Sequence, residues 1–145
     1  SNFENLKIGE AKILRDVSSD IVIFSFGNML ELSKEIADEL GCSLVDMRFI
    51  KPLDENLIRR FASNCKHIIS IEENTISGGA GSAVNEYLST IGFAEKLTIF
   101  GVPDEFPIVG SQIDQREAAG LTKTEILKKL ASKINLENIN KKVSA

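Results

Sequence analysis

Two adjacent carboxylates followed by a glycine-rich run make up the stretch of this chain best suited to chemistry: Glu72-Glu73-Asn74-Thr75-Ile76-Ser77-Gly78-Gly79-Ala80-Gly81-Ser82. Paired carboxylates at the end of an apolar segment invite acid–base work, because burial or mutual repulsion raises a carboxyl pKa. Successive strand residues point to opposite faces, however, so Glu72 and Glu73 are expected to act separately. One should hold loop N–H groups, and the other should face solvent or a neighbouring domain. The glycines permit close backbone approach, and free N–H groups at a helix start can hold an anion. The dinucleotide fingerprint nevertheless fails, since Val84 stands where its third glycine belongs, and no lysine follows as a phosphate-binding loop requires. A close-packed turn or an interdomain contact is therefore favoured over a phosphate cradle at Gly78, Gly79, Gly81 and Ser82.

Elsewhere the reactive side chains are scattered. His67 opens an apolar segment with no clustered acid or cysteine, which suits a local structural hydrogen bond. Ser25, Ser77 and Ser82 lack the G-x-S-x-G elbow of a serine nucleophile. Cys42 and Cys65 form no C-x-x-C pair and lie beside or inside apolar runs, so buried, inert thiols are expected rather than a disulfide or metal site. Arg48 is more informative. It follows a buried segment and precedes Phe49-Ile50-Lys51-Pro52-Leu53-Asp54, where its guanidinium can fork onto a carboxylate or phosphate, or clamp the loop. These residues make a binding or packing module and no complete catalytic set.

The elements that must position them are legible from apolar periodicity. Ile21 to Phe24, Ser43 to Met47, Ile68 to Ile71 and Leu97 to Phe100 are short, β-branched and mostly continuous in their apolar character, as strands covered on both faces are. A further strand is placed around Ala11 to Leu14. Helical spacing puts Met29, Leu32, Ile36 and Leu40 on one face, with Asn28 as N-cap, Glu31 at N3 and Gly41 as the stop. Asp54 and Glu55 open a second helix burying Leu57, Ile58, Phe61 and Ala62, with Arg59 and Arg60 further along, where the dipole favours cations. A third helix runs from about Ser82 to Ile91, burying Ala83, Val84, Tyr87, Leu88 and Ile91. A fourth starts at Thr122 in a capping box with Glu125 and runs through Ile126, Leu127, Leu130 and Ile134. Strand and helix alternate, which predicts an α/β fold with three αβα layers around a mostly parallel open sheet of about five strands. Ligands or partner domains in such folds sit outside the carboxyl ends of the strands.

Composition narrows the function classes. The 145 residues suit one domain, and 43% hydrophobic with 26% charged residues is ordinary for a folded, water-soluble protein. Seventeen Lys and Arg against 21 Asp and Glu leave a net charge of -4, with a pI near 5.1, which argues against nucleic acid as a partner. No apolar run approaches the roughly 20 residues of a membrane span. The expected location is cytoplasmic. The first residue is Ser rather than Met, so the chain reads as a piece of a longer protein. Residues 1–7 are read as a leading linker, 8–136 as the domain and 137–145 as a frayed tail.

Four of these segments, in order, resemble the C-terminal domain of the 1-deoxy-D-xylulose-5-phosphate synthase family. They are Asp46-Met47-Arg48-Phe49-Ile50-Lys51-Pro52-Leu53-Asp54, Glu72-Glu73-Asn74, the run Gly78 to Glu86, and Gly101-Val102-Pro103-Asp104-Glu105-Phe106. Gly110-Ser111-Gln112 and Ala119-Gly120-Leu121 extend the likeness, so that it covers nearly the whole chain. Val109 stands where that family often has His. The resemblance implies a thiamine-diphosphate enzyme that condenses pyruvate with glyceraldehyde 3-phosphate to 1-deoxy-D-xylulose 5-phosphate and CO2, serving isoprenoid, thiamine and pyridoxal synthesis. It also implies that thiamine diphosphate and Mg2+ belong to upstream domains, so no catalytic, cofactor or metal residue is carried onto this chain. The expected task is to pack against those domains and support a homodimer. Candidate contacts are Arg48, Glu72, Glu73, Asn74, Gly78, Gly79, Gly81 and Ser82. Transketolase and the 2-oxoacid dehydrogenase β subunits share a looser Arg-x-x-x-Pro-Leu-Asp stretch and form one alternative; a stand-alone anion-binding α/β module is the other.

Overall fold

A computed structural model describes residues 5–104 and 110–134 of the chain. Its first strand, β1 (Lys12–Arg15), is followed by β2 (Ile21–Ser25), α1 (Leu30–Leu40), β3 (Ser43–Asp46), α2 (Glu55–Asn64), β4 (His67–Thr75), α3 (Ala80–Thr90), β5 (Leu97–Val102), α4 (Gln112–Ala118) and α5 (Lys123–Lys133). The five strands form one sheet in the order β1-β3-β2-β4-β5. All neighbours are parallel except β1, which runs antiparallel to β3 at one edge, as expected of a strand added to a parallel sheet without a crossover helix. Among the described residues, no helix is long and apolar enough to cross a membrane.

Period-two alternation splits the core into two layers. Ile21, Ile23, Ile69 and Ile71 face α1 and α5, while Val22, Phe24 and Ile68 face α2 and α3. Every residue of β2 is buried, and each such apolar side chain contributes about 1.5–3 kcal/mol relative to exposure. This double coverage explains why the strands are apolar without a break.

Several elements differ from the sequence expectation. Asn28 does not cap α1: Gly27–Met29 forms a 3-10 turn, and the helix begins at Leu30 with no side-chain cap bond, while Gly41 ends it in the left-handed region (φ 59°) as expected. Arg59 and Arg60 lie mid-helix and act sideways instead of on the dipole, Arg59 over the Tyr87 ring and Arg60 on Asp16. β4 runs on past Ile71 to Thr75, so that Glu72, Glu73 and Asn74 all lie within the strand. Helix α3 begins two residues early, at Ala80, with Tyr87 and Ile91 only half-buried. Helix α4 was not anticipated at all. It carries the full two-way capping box, between Ser111 and Asp114, whereas at Thr122 only the hydroxyl's bond from the Glu125 N–H (3.3 Å) is recorded. Phe106, Val109 and the 137–145 tail lie outside the described residues.

Candidate functional site

The site is built on the carboxyl ends of β4 and β5. Because side chains alternate along β4, Ser70 and Glu72 point towards α3, and Glu73 points to the opposite layer. Glu72 is fully buried, and its two oxygens accept the Ala80 N–H (2.7 Å) and the Gly81 N–H (2.8 Å), the first orphan donors of α3. A carboxylate is stable there because the helix N-terminus carries partial positive charge. Burial pushes the Glu72 carboxyl above its usual range, and the two backbone bonds pull it partly back.

This internal cap requires the glycines. A Cβ on Gly79 would sit 2.2 Å from the Thr75 carbonyl oxygen, and one on Gly81 would sit 2.6 Å from the Ile99 side chain and 2.8 Å from Ser70 Oγ. Gly78, exposed and at φ 70°, turns the chain, while the Ser82 hydroxyl donates to the Ile76 carbonyl and fastens the turn to the helix. The anion position at this helix start is thus filled from within the chain.

Glu73 is held by α4: Arg116 Nε and Nη2 lie 3.0 and 2.9 Å from Glu73 Oε1. Between this pair and the turn lies a groove of about 410 Å³ lined by Ile50, Glu73, Asn74, Gly78, Gly79, Val102 and Gln115. Four of the eight sequence candidates therefore meet at one groove. Glu72 and Gly81 lie buried beneath it and shape the turn from inside, so they cannot touch a partner directly. Arg48 is not part of the groove. It lines a separate hollow of about 630 Å³ with Lys12, Ile13 and Leu57, its own N–H bonded to Asp46 Oδ1 (3.2 Å) and its Nε 3.9 Å from Asp46 Oδ2. Its φ of 58° is left-handed, a conformation that costs a residue with a Cβ about 1–2 kcal/mol. Arg48 thus pairs back onto the strand it follows. The clamp on the next helix comes instead from Asp54, which caps α2 through the Leu57 N–H (3.1 Å) and takes the Ala11 N–H (3.0 Å) from the approach to β1.

The groove residues that sequence reasoning missed are Ile50, Thr75, Val102 and Gln115, together with Arg116, which holds Glu73 beside them. Val102 is the last residue of β5 and Ile50 lies in the loop between β3 and α2, whereas Gln115 and Arg116 required α4. Among the described residues, no three His, Cys, Asp or Glu converge as a metal site would need. His67 is half-buried at the start of β4, remote from the groove, and burial lowers its pKa. Cys42 and Cys65 are buried and unpaired. What the arrangement offers is an apolar floor with carboxamide and backbone edges, suited to receiving a protein surface.

The family model described as "Transketolase, C-terminal domain" matches residues 9–126. The 1-deoxy-D-xylulose-5-phosphate synthase of Pseudoalteromonas translucida is 42% identical over 135 residues, which is 93% of this chain and 22% of that protein. That of Glaesserella parasuis is 41% identical over 127 residues, 88% of this chain and 20% of that protein. Among solved structures, a split-gene transketolase, described as an inactive beta4 tetramer, superposes with a TM-score of 0.76 at 26% identity, covering 91% of this chain and 44% of that one. The chain thus spans about a fifth of the length of the curated relatives it matches.

Proposed function

The chain belongs to the transketolase C-terminal domain family, and from that premise we propose that it is the C-terminal domain of a 1-deoxy-D-xylulose-5-phosphate synthase. The observation that carries this reading is the 42% identity over nearly all of this chain to a fifth of a synthase, against 26% to the transketolase structure. The whole protein would then be a cytoplasmic, homodimeric transferase of the transketolase type. It would condense pyruvate with glyceraldehyde 3-phosphate, using thiamine diphosphate to carry the two-carbon fragment.

Among the described residues, no arrangement suits the cofactor or its Mg2+. The helix start that could take a diphosphate is filled by Glu72, and no acidic or histidine cluster converges among the described residues. We therefore assign both groups to upstream domains and derive no chemical step here. This domain's part is to dock: the groove between Gly78–Gly79 and the Glu73–Arg116 pair, with the Arg48 hollow beside β1, receives the upstream domains or the second subunit.

The test uses the full-length protein. It should form 1-deoxy-D-xylulose 5-phosphate from the two substrates with thiamine diphosphate and Mg2+, whereas residues 1–145 alone should form none. Charge reversal at Arg48 and Glu73 together should weaken dimerisation and turnover. Unchanged assembly and turnover in that double variant would remove the docking role, and ketose-donor activity in place of pyruvate decarboxylation would favour a transketolase.

A further inference from the structure

The chain enters β1 through a short arm that is tied down. The Glu10 N–H donates to the Lys7 carbonyl (3.1 Å), and Gly9 stands at φ 78°, so residues 7–10 form a type II turn with Ile8 at its second position. Two contacts fix this turn to the body of the domain. Gly9 packs so closely on Pro52 that a Cβ there would lie 2.8 Å from the proline Cγ, and the Ala11 N–H donates to Asp54 Oδ2 (3.0 Å). The apolar side chains of the arm nonetheless face outward: Ile8 is 75% exposed, the most of any large apolar residue described, and Leu6 is 56% exposed. Single apolar residues at a surface are ordinary, but these two are held out on a fixed turn beside a third. Gly9 and the exposed Ile50 wall one hollow of about 800 Å³, and Ile50 also lines the groove at Gly79, so the arm continues the rim of the docking face. The ions of the turn, Lys7 and Glu10, lie 3.9 Å apart and answer one another, which leaves its outward surface apolar in character.

We propose that Leu6 and Ile8 seat on an apolar patch of the domain that precedes this arm in the same polypeptide. The inference deepens the docking role proposed above and rests on it. The matched family model is a C-terminal domain and the chain spans about a fifth of its curated relatives, so on that reading the remaining domains lie ahead of the arm. A domain joined a few residues before Leu6 meets it at an effective concentration in the millimolar range, an advantage no free partner has. A second copy added edge to edge across the middle of β1 is disfavoured, because antiparallel pairing there sets Lys12 against Arg15.

The test compares hydrogen-exchange protection, read by mass spectrometry, at the amides of residues 6–9 in the 145-residue chain and in the full-length protein. Protection should be at least tenfold greater in the full-length protein. Ile8→Glu should abolish that difference, while leaving the melting temperature of the 145-residue chain unchanged because the side chain is exposed. Equal protection in the two wild-type proteins overturns the proposal, and this comparison needs no variant to fold. Protection that survives Ile8→Glu overturns it too, as does a lowered melting temperature of the 145-residue variant, which would place Ile8 in this domain's own packing. Protection in the 145-residue chain that grows with its concentration would identify a second copy as the occupant and also overturn it. Formation of 1-deoxy-D-xylulose 5-phosphate is measured separately, so its absence removes the synthase reading while the exchange data still decide the arm.

Discussion

Glu72 is a carboxylate held in the core by two backbone amides and no cation. Replacing it with Ala leaves the Ala80 and Gly81 N–H groups buried without an acceptor, and thermal or denaturant unfolding should show a loss of about 1–3 kcal/mol. Gly81→Ala should cost a similar amount by overpacking, about 1–3 kcal/mol, since its methyl meets Ile99 and Ser70. The pH dependence has a definite sign. The native Glu72 pKa is raised, so its contribution to stability is present below the unfolded value of about 4.3 and is lost as pH rises through the native value. His67 acts oppositely: with its pKa lowered, its contribution is present above about 6.5 and is lost as pH falls through the native value. Urea unfolding followed across this range should show the acidic component vanish in Glu72→Gln. Burial pushes the Cys42 thiol up to about 12 and also raises that of Cys65, so neither should react with a thiol reagent at mildly alkaline pH until the chain is unfolded. The sequence separated the roles of Glu72 and Glu73 through strand alternation alone. It did not reveal which carboxylate was the buried one, because that depends on where α3 crosses β4.

At the level of elements, α4 is the piece that completes the groove, and it buries none of its own residues. The half-buried Arg116–Glu73 pair and the buried Ala119 and Leu121 that follow it fasten it to the sheet. Arg116→Ala should cost global stability only about 0.5–1 kcal/mol, yet hydrogen exchange in residues 112–118 should accelerate. The short, polar α4 has no apolar stripe to announce it, and its one local signal was Ser111 three residues before Asp114. The start of α3 was misplaced for a different reason. Its cap comes from Glu72, eight residues upstream in another element, and local pattern reading looks for caps in the adjoining residues. By contrast Asp54 announced α2 correctly, and Asp54→Ala should lower stability by about 1–2 kcal/mol through loss of the cap, with the Ala11 tether lost as well.

For the whole molecule, the strand–helix alternation was sufficient to read a three-layer α/β architecture, because continuous apolar strands demand cover on both faces. Strand order was not legible, since it depends on which side of β2 each crossover lands. Both apolar layers share the same strands, so neither can melt alone. Circular dichroism and the emission of the single tyrosine, Tyr87, should report one coincident unfolding transition. The internal cap also bears on kinetics. Glu72 to Gly81 is a ten-residue ring, and loops of that size close in about 10–100 ns, far sooner than β1 can find β3 more than 25 residues away. Substitution at Glu72 is therefore expected to slow refolding, whereas changes in the peripheral edge strand β1 should chiefly hasten unfolding, a division that stopped-flow chevrons would resolve.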